Sequence, residues 1–125
     1  MKGVIFIKCV EEYIPKQSFV GFIPFADGKK NFLIKLSDIL DFPDYFGHNW
    51  DALCEVYRDF SWITNRQIVI IHQDLSGLND IDLKIYIDIV RYTLDFWSEY
   101  DDHSLQFVFS DKEKSRMMKY FGHNV

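Results

Sequence analysis

Cysteine is scarce in these 125 residues: Cys9 and Cys54 are the whole supply. They stand far apart, so they make neither a zinc-binding spacing nor the dense framework of a disulfide-stapled domain, and read as reduced thiols. Positive charge is short as well, with fourteen Lys and Arg against nineteen Asp and Glu and a net charge of −5. A protein that grips nucleic acid through its phosphates needs the opposite balance, so no direct nucleic-acid partner is expected; a cationic partner suits this surface better. Long apolar runs are missing too. The first, Val4 to Ile7, stops at Lys8; it is too short for a secretory segment, lacks a cleavage site, and nothing later approaches a membrane span. The expectation is a cytoplasmic protein, monomeric when free. His48, His72, His103 and His123 are scattered, and no His-x-x-x-His pair or phosphate-binding glycine loop occurs. No metal and no cofactor are expected.

Aromatic side chains, by contrast, are plentiful: twelve Phe and seven Tyr within an 18% aromatic share. So many rings cannot all stay wet in a small protein, so most belong to a core and the rest to an interface. Residues 3–9 and 18–25 read as strands, with Pro15 and Pro24 punctuating them, and ADGKK (26–30) as a turn. From Asn31 the residues Phe32, Leu33, Leu36, Ile39 and Leu40 recur at helical spacing, and Pro43 ends that helix by positions 41–42. Leu53, Val56, Tyr57 and Phe60 form the core stripe of a second helix. Residues 66–72 (RQIVIIH) are a buried β-branched strand. Residues 80–99 alternate like a strand at first. Yet no Gly or Pro interrupts them, Asn79 can cap a helix, and Asp80 and Asp82 suit its first turn, so they read as helix. A strand at 103–110 and a short polar helix at 111–120 complete an α/β chain with a small parallel sheet covered by helices. No linker divides it, so residues 1–125 read as a single domain.

The chemistry concentrates at residues 44–53, DYFGHNWDAL, whose YFGHN returns at 120–124. As an enzyme, His48 would be a general base and Asp51 its orienter. Groups this close across a loop-to-helix junction tend to diverge, and no nucleophile or second cluster accompanies them. As an interface, the segment offers six acids between Asp38 and Asp59 against one base, Arg58. Asp51, Glu55 and Asp59 follow at i, i+4 and i+8, where like charges repel; a solvated face accounts for that equally well. Tyr45, Phe46 and Trp50 flank the acids, giving an anchor-and-charge surface suited to a cationic pocket, although Phe46 and Trp50 can also pack the loop on the core.

FPDYFGHNWDAL followed by RDFSW resembles the signature of the barstar family, the small inhibitors of barnase-type ribonucleases. The family pattern is roughly F-P-x-Y-[FY]-G-x-N-x-D-A-L with an acid two residues on. Phe42, Pro43, Tyr45, Phe46, Gly47, Asn49, Asp51, Ala52, Leu53 and Glu55 meet it, and the likeness extends from about Ser18 to Ser110. The resemblance implies a small parallel sheet covered by helices, and a non-enzymatic protein whose loop and helix occlude the active site of a basic ribonuclease. It makes Tyr45, Asn49, Trp50, Asp51 and Glu55 the contact residues, with Asp59 continuing the acidic row. It gives Gly47 the loop's turn through a positive φ and leaves His48 an exposed passenger. A further acid from the third helix would be Asp80 or Asp82. Glu55 stands where the family usually has Asp, Val56 where it often has Cys, and residues 1–16 add a strand. A related reading keeps the fold and makes the protein an immunity or adaptor protein for a toxin of another class; a more distant one is a small hydrolase using His48 and Asp51.

Overall fold

The computed structural model describes residues 2–122. Four strands, β1 (Val4–Ile7), β2 (Ser18–Ile23), β3 (Gln67–His72) and β4 (Ser104–Ser110), form one sheet in the order β1-β4-β3-β2, and every neighbouring pair is parallel. The helices are α1 (Gly28–Ile39), α2 (Trp50–Tyr57), α3 (Asp80–Trp97) and α4 (Lys114–Phe121). All four pack on one face, where Ile68, Ile70, Phe107 and Phe109 of the sheet meet Leu36, Leu53, Tyr86 and Met117. The architecture is the expected α/β one, with the extra N-terminal strand in place.

The opposite face carries a smaller cluster, Val69, Ile71 and Val108 with Ile5, Ile7 and Phe22 beside them. Parallel strands are apolar on both sides and need cover on both. Here residues 8–17 supply it: a 3-10 turn at Val10–Glu12 buries Val10 on this cluster, and the Tyr13 hydroxyl donates to Gln106 Oε1 at 2.8 Å. The route follows from chain handedness. The step from β2 to β3 to β4 crosses the sheet one way under the helices. A return from β1 to β2 crosses the other way, and it keeps the right-handed sense of crossovers by lying on the other face. This is why the strand expected at 3–9 stops at Ile7.

Two expected boundaries shift. The ADGKK turn is largely helix, because α1 begins at Gly28 after Asp27. The start is pinned by the Gly28 amide donating to Gly77 O at 3.0 Å. A Cβ on Gly77 would lie 1.9 Å from the Ala26 carbonyl oxygen, so only glycine permits this approach. The helix expected at 80–99 forms over Asp80–Trp97, with the Asn79 side chain accepting from the Asp82 amide at 2.8 Å. In the terminal repeat, Tyr120 and Phe121 end α4 rather than form a loop, and His123 and Asn124 lie outside the described residues.

One polar chain runs through the core. His72 Nδ1–H donates to the Val108 carbonyl at 2.9 Å, so Nε2 accepts, from the Tyr86 hydroxyl at 2.6 Å. Tyr86 in turn accepts from Tyr57 at 2.9 Å, and Trp97 Nε1 donates to the Tyr57 carbonyl at 2.8 Å. Burial pulls His72 from the ordinary 6.5 down to about 4, against the opposing effect of its bond to Val108. It pushes both tyrosine hydroxyls up. A histidine held neutral when folded binds its proton first in the unfolded chain. Its contribution to stability is therefore complete above pH 6.5 and is lost as pH falls towards about 4, on the order of 3 kcal/mol in all. Urea unfolding at pH 7, 5.5 and 4.5 should show this slope, and His72→Gln should flatten it; equal slopes in both proteins would remove His72 as the cause.

Candidate functional site: the acidic loop and helix

The loop that enters α2 is fixed at both ends. After α1, Asp41 takes φ +56° and the Phe42 amide donates back to Ser37 O at 3.0 Å, a left-handed helix stop that glycine usually fills. Pro43 then opens a tight turn closed by the Phe46 amide on Pro43 O at 3.0 Å. The rings of Phe42 and Phe46 meet edge to face at 4.8 Å and are buried, and Trp62, 6.1 Å from Phe42, donates to Leu40 O at 3.0 Å. With its flanks buried, the turn presents its tip: Tyr45 is 73% exposed.

Asn49 is the helix cap. Its Oδ1 accepts from the Ala52 amide at 2.8 Å while its Nδ2 donates to Gly47 O at 3.2 Å, so one side chain joins loop to helix. The positive φ expected of Gly47 falls instead on His48, at +52°. Gly47 matters by size: a Cβ there would lie 3.1 Å from Asn49 Nδ2, crowding the cap. His48 is exposed, with its ring 4.9 Å from that of Phe46, and among the described residues it makes no hydrogen bond with Asp51. The pairing that a hydrolase would need is not assembled.

Asp51 lies in the first turn of α2, where the helix dipole favours it, and Glu55 one turn later. Both are exposed, and neither has an ion-pair partner among the described residues. Arg58, the one base of the segment, is drawn away: it donates to Cys54 O at 3.0 Å and lies 5.1 Å over the Tyr92 ring. Asp59 departs from the expected row. Because α2 ends at Tyr57 and Phe60 turns the chain at φ +51°, Asp59 is off the helix and half-buried, accepting from the Ser61 amide at 3.2 Å. Trp50 is half-buried too, packed 6.4 Å from Phe32 and 6.2 Å from Tyr86, with Lys29 5.8 Å over its ring. Of the third-helix candidates, Asp80 pairs with Arg116 at 3.2 Å and Asp82 is half-buried. Sequence reading passed over a hollow of about 380 Å³ beside the loop, walled by Asp38, Asp41, Asp44 and His48. Its acids were counted there, but their gathering depends on the Asp41 turn.

The family model for Barstar (barnase inhibitor) matches residues 24–110, more than two thirds of the chain. The chain belongs to the barstar family. Neither a curated protein nor a solved structure matches it. The matched span holds the whole loop and α2, whereas β1, the back-face segment and α4 fall outside it. No described helix is long and apolar enough to cross a membrane.

The cap is the joint on which this barstar loop and its helix depend. Asn49→Ala should lower unfolding stability by about 1 kcal/mol, while Asn49→Asp, which keeps the accepting oxygen, should recover most of it. Thermal unfolding of the three proteins checks this, and no loss in the alanine variant would mean that the cap is not holding α2.

Proposed function

We propose that this protein is an intracellular inhibitor, of immunity or antitoxin type, that occludes the active site of a basic barnase-type ribonuclease with its loop and α2. The observation that carries the reading is a pair of exposed carboxylates, Asp51 and Glu55, without ion-pair partners among the described residues, one turn apart on a capped helix behind a turn with buried flanks. A ribonuclease site gathers cationic groups to stabilise phosphoryl charge, and carboxylates held at fixed positions can take the place of the substrate's phosphates. Tyr45 supplies an exposed ring for the rim of such a site. Asn49 and Gly47 set the geometry, Trp50 supports α2 from beneath, and Asp59 shapes the turn behind it. The membership of a family described as barnase inhibitors agrees with this reading. No cofactor takes part, and nucleic acid is excluded from the contact by the acids that replace it.

Asp51→Ala and Glu55→Ala should each speed dissociation from the nuclease about ten-fold or more, since a hydrogen bond to a charged group contributes about 1.5–3 kcal/mol. Surface plasmon resonance against a barnase-type ribonuclease gives the rates, and unchanged rates in both variants would mean that this face is not the one used. Raising ionic strength should slow association while moving dissociation less, because steering acts over distances that salt screens; a salt-independent association rate would contradict the charge argument. Titration into the nuclease cleaving RNA tests the target: inhibition supports the reading, and its absence would turn the search to a toxin of another class.

A further inference from the structure

At the carboxyl ends of the four strands lies a crevice of about 510 Å³. It opens where the chain leaves neighbouring strands towards opposite faces. After β1 the chain turns to the back through Val10–Glu12, and after β4 it turns to the helical side through Asp111–Glu113 and α4. Diverging exits of this kind leave a cleft at the carboxyl edge of an open parallel sheet, and that cleft is where such sheets bind ligands. The volume falls within the range of about 300–1,000 Å³ typical of small-molecule sites.

The lining is specific in charge. Lys8 and Lys112 bring two positive groups, and Glu11, Asp74 and Glu113 bring three negative ones. Phe25, 44% exposed, adds a ring. Two of the acids are oriented by backbone amides. Ser76 N–H donates to Asp74 Oδ1 at 2.8 Å, and Leu75 N–H donates to Glu113 Oε1 at 2.9 Å. The donated bonds from Ser76 hold Asp74 below the usual carboxylate range, while burial and a hydrogen bond with Asp74 raise Glu113, and a cation bound beside the two carboxyls would favour the ionised form of both. A doubly charged anion fits poorly among three carboxylates. A ligand with charges of both signs and one extra cation fits each part. Lys8, Glu11, Lys112 and Glu113 lie outside residues 24–110, so four of the five charged residues of the crevice come from segments that the family model does not match, and it shares no residue with the loop–helix face.

We propose that this crevice binds a small zwitterion with an additional cationic group, of the basic α-amino acid class. Its carboxylate meets Lys8 and Lys112, its amino and side-chain cations meet Asp74, Glu113 and Glu11, and its side chain lies across Phe25. The site stands independently of ribonuclease inhibition.

The test is titration of L-arginine into the full chain, followed by amide NMR shifts and calorimetry, with agmatine, which lacks the carboxylate, in parallel. Saturable one-to-one binding is expected, with shifts at Phe25, Ser76 and Lys112 and none at Asn49–Glu55. Lys112→Ala and agmatine should each weaken binding about ten-fold, the loss of one charge-assisted contact. Asp74→Asn should weaken it likewise, with circular dichroism checking its fold; if that variant unfolds, Lys112→Ala and agmatine still decide. No saturable binding of L-arginine up to about 10 mM, far weaker than a built site should give, would overturn the proposal. So would equal affinity for agmatine, or shifts confined to the acidic loop.

Discussion

A strand that is apolar on both sides has to be covered on both sides, and β3 is such a strand. Ile68 and Ile70 lie under the helices, Val69 and Ile71 face the other way, and all four are buried. The helices follow β2, β3 and β4 in turn and occupy a single face, so the second cover must come from elsewhere in the chain. Residues 8–17 provide it, which obliges β1 to sit at the edge beyond β4, as far from β2 as the sheet allows. The crevice at the carboxyl edge is a by-product of the same arrangement, since it opens where the two covers part.

The loop before α2 shows how a polar surface is held still by apolar contacts. Its exposed residues Tyr45, Gly47, His48 and Asn49 flank the buried Phe46, whose ring packs edge to face on the buried Phe42 and so ties the loop to the core. Asn49 then transmits that order into the helix through its two hydrogen bonds. Side chains already ordered before a partner arrives lose less entropy when it does. The charges themselves contribute little to the fold: Asp51 and Glu55 are solvated and could be exchanged with small effect on stability, whereas Phe46 could not.

What the sequence disclosed was periodic or local. The spacing of Leu53, Val56, Tyr57 and Phe60 predicts a core stripe, and all are buried; the position of Asn79 before two acids predicts a cap, and its side chain is one. The motif of residues 42–55 points to the family because it is one unbroken stretch that a linear reading can follow. The features that a linear reading does not reach depend on chain direction or on remote neighbours. Asp59 keeps the spacing of Asp51 and Glu55 but not their helix, since the turn at Phe60 intervenes. The positive φ expected of Gly47 is carried by His48, whose ring packs on that of Phe46. The direction of Trp50 depends on Phe32 and Tyr86, which lie on two other helices. The back-face cover was invisible for a similar reason: nothing in residues 8–17 alternates with a period that names its target.

The position of β1 also bears on how the chain comes to order as it is synthesised. Val4 pairs in register with Phe107, and Ile7 with Ser110, so β1 depends for its neighbour on β4, far along the chain. Everything from β1 to β4 must emerge before that pairing can form, and contacts so distant in sequence are the slow ones. Until then the β2–β3–β4 sheet and its helices can assemble from consecutive elements, while Ile5, Ile7 and Val10 remain without their cover. The back face is therefore closed late, and in the interval before closure this small protein is most open to sticking to others.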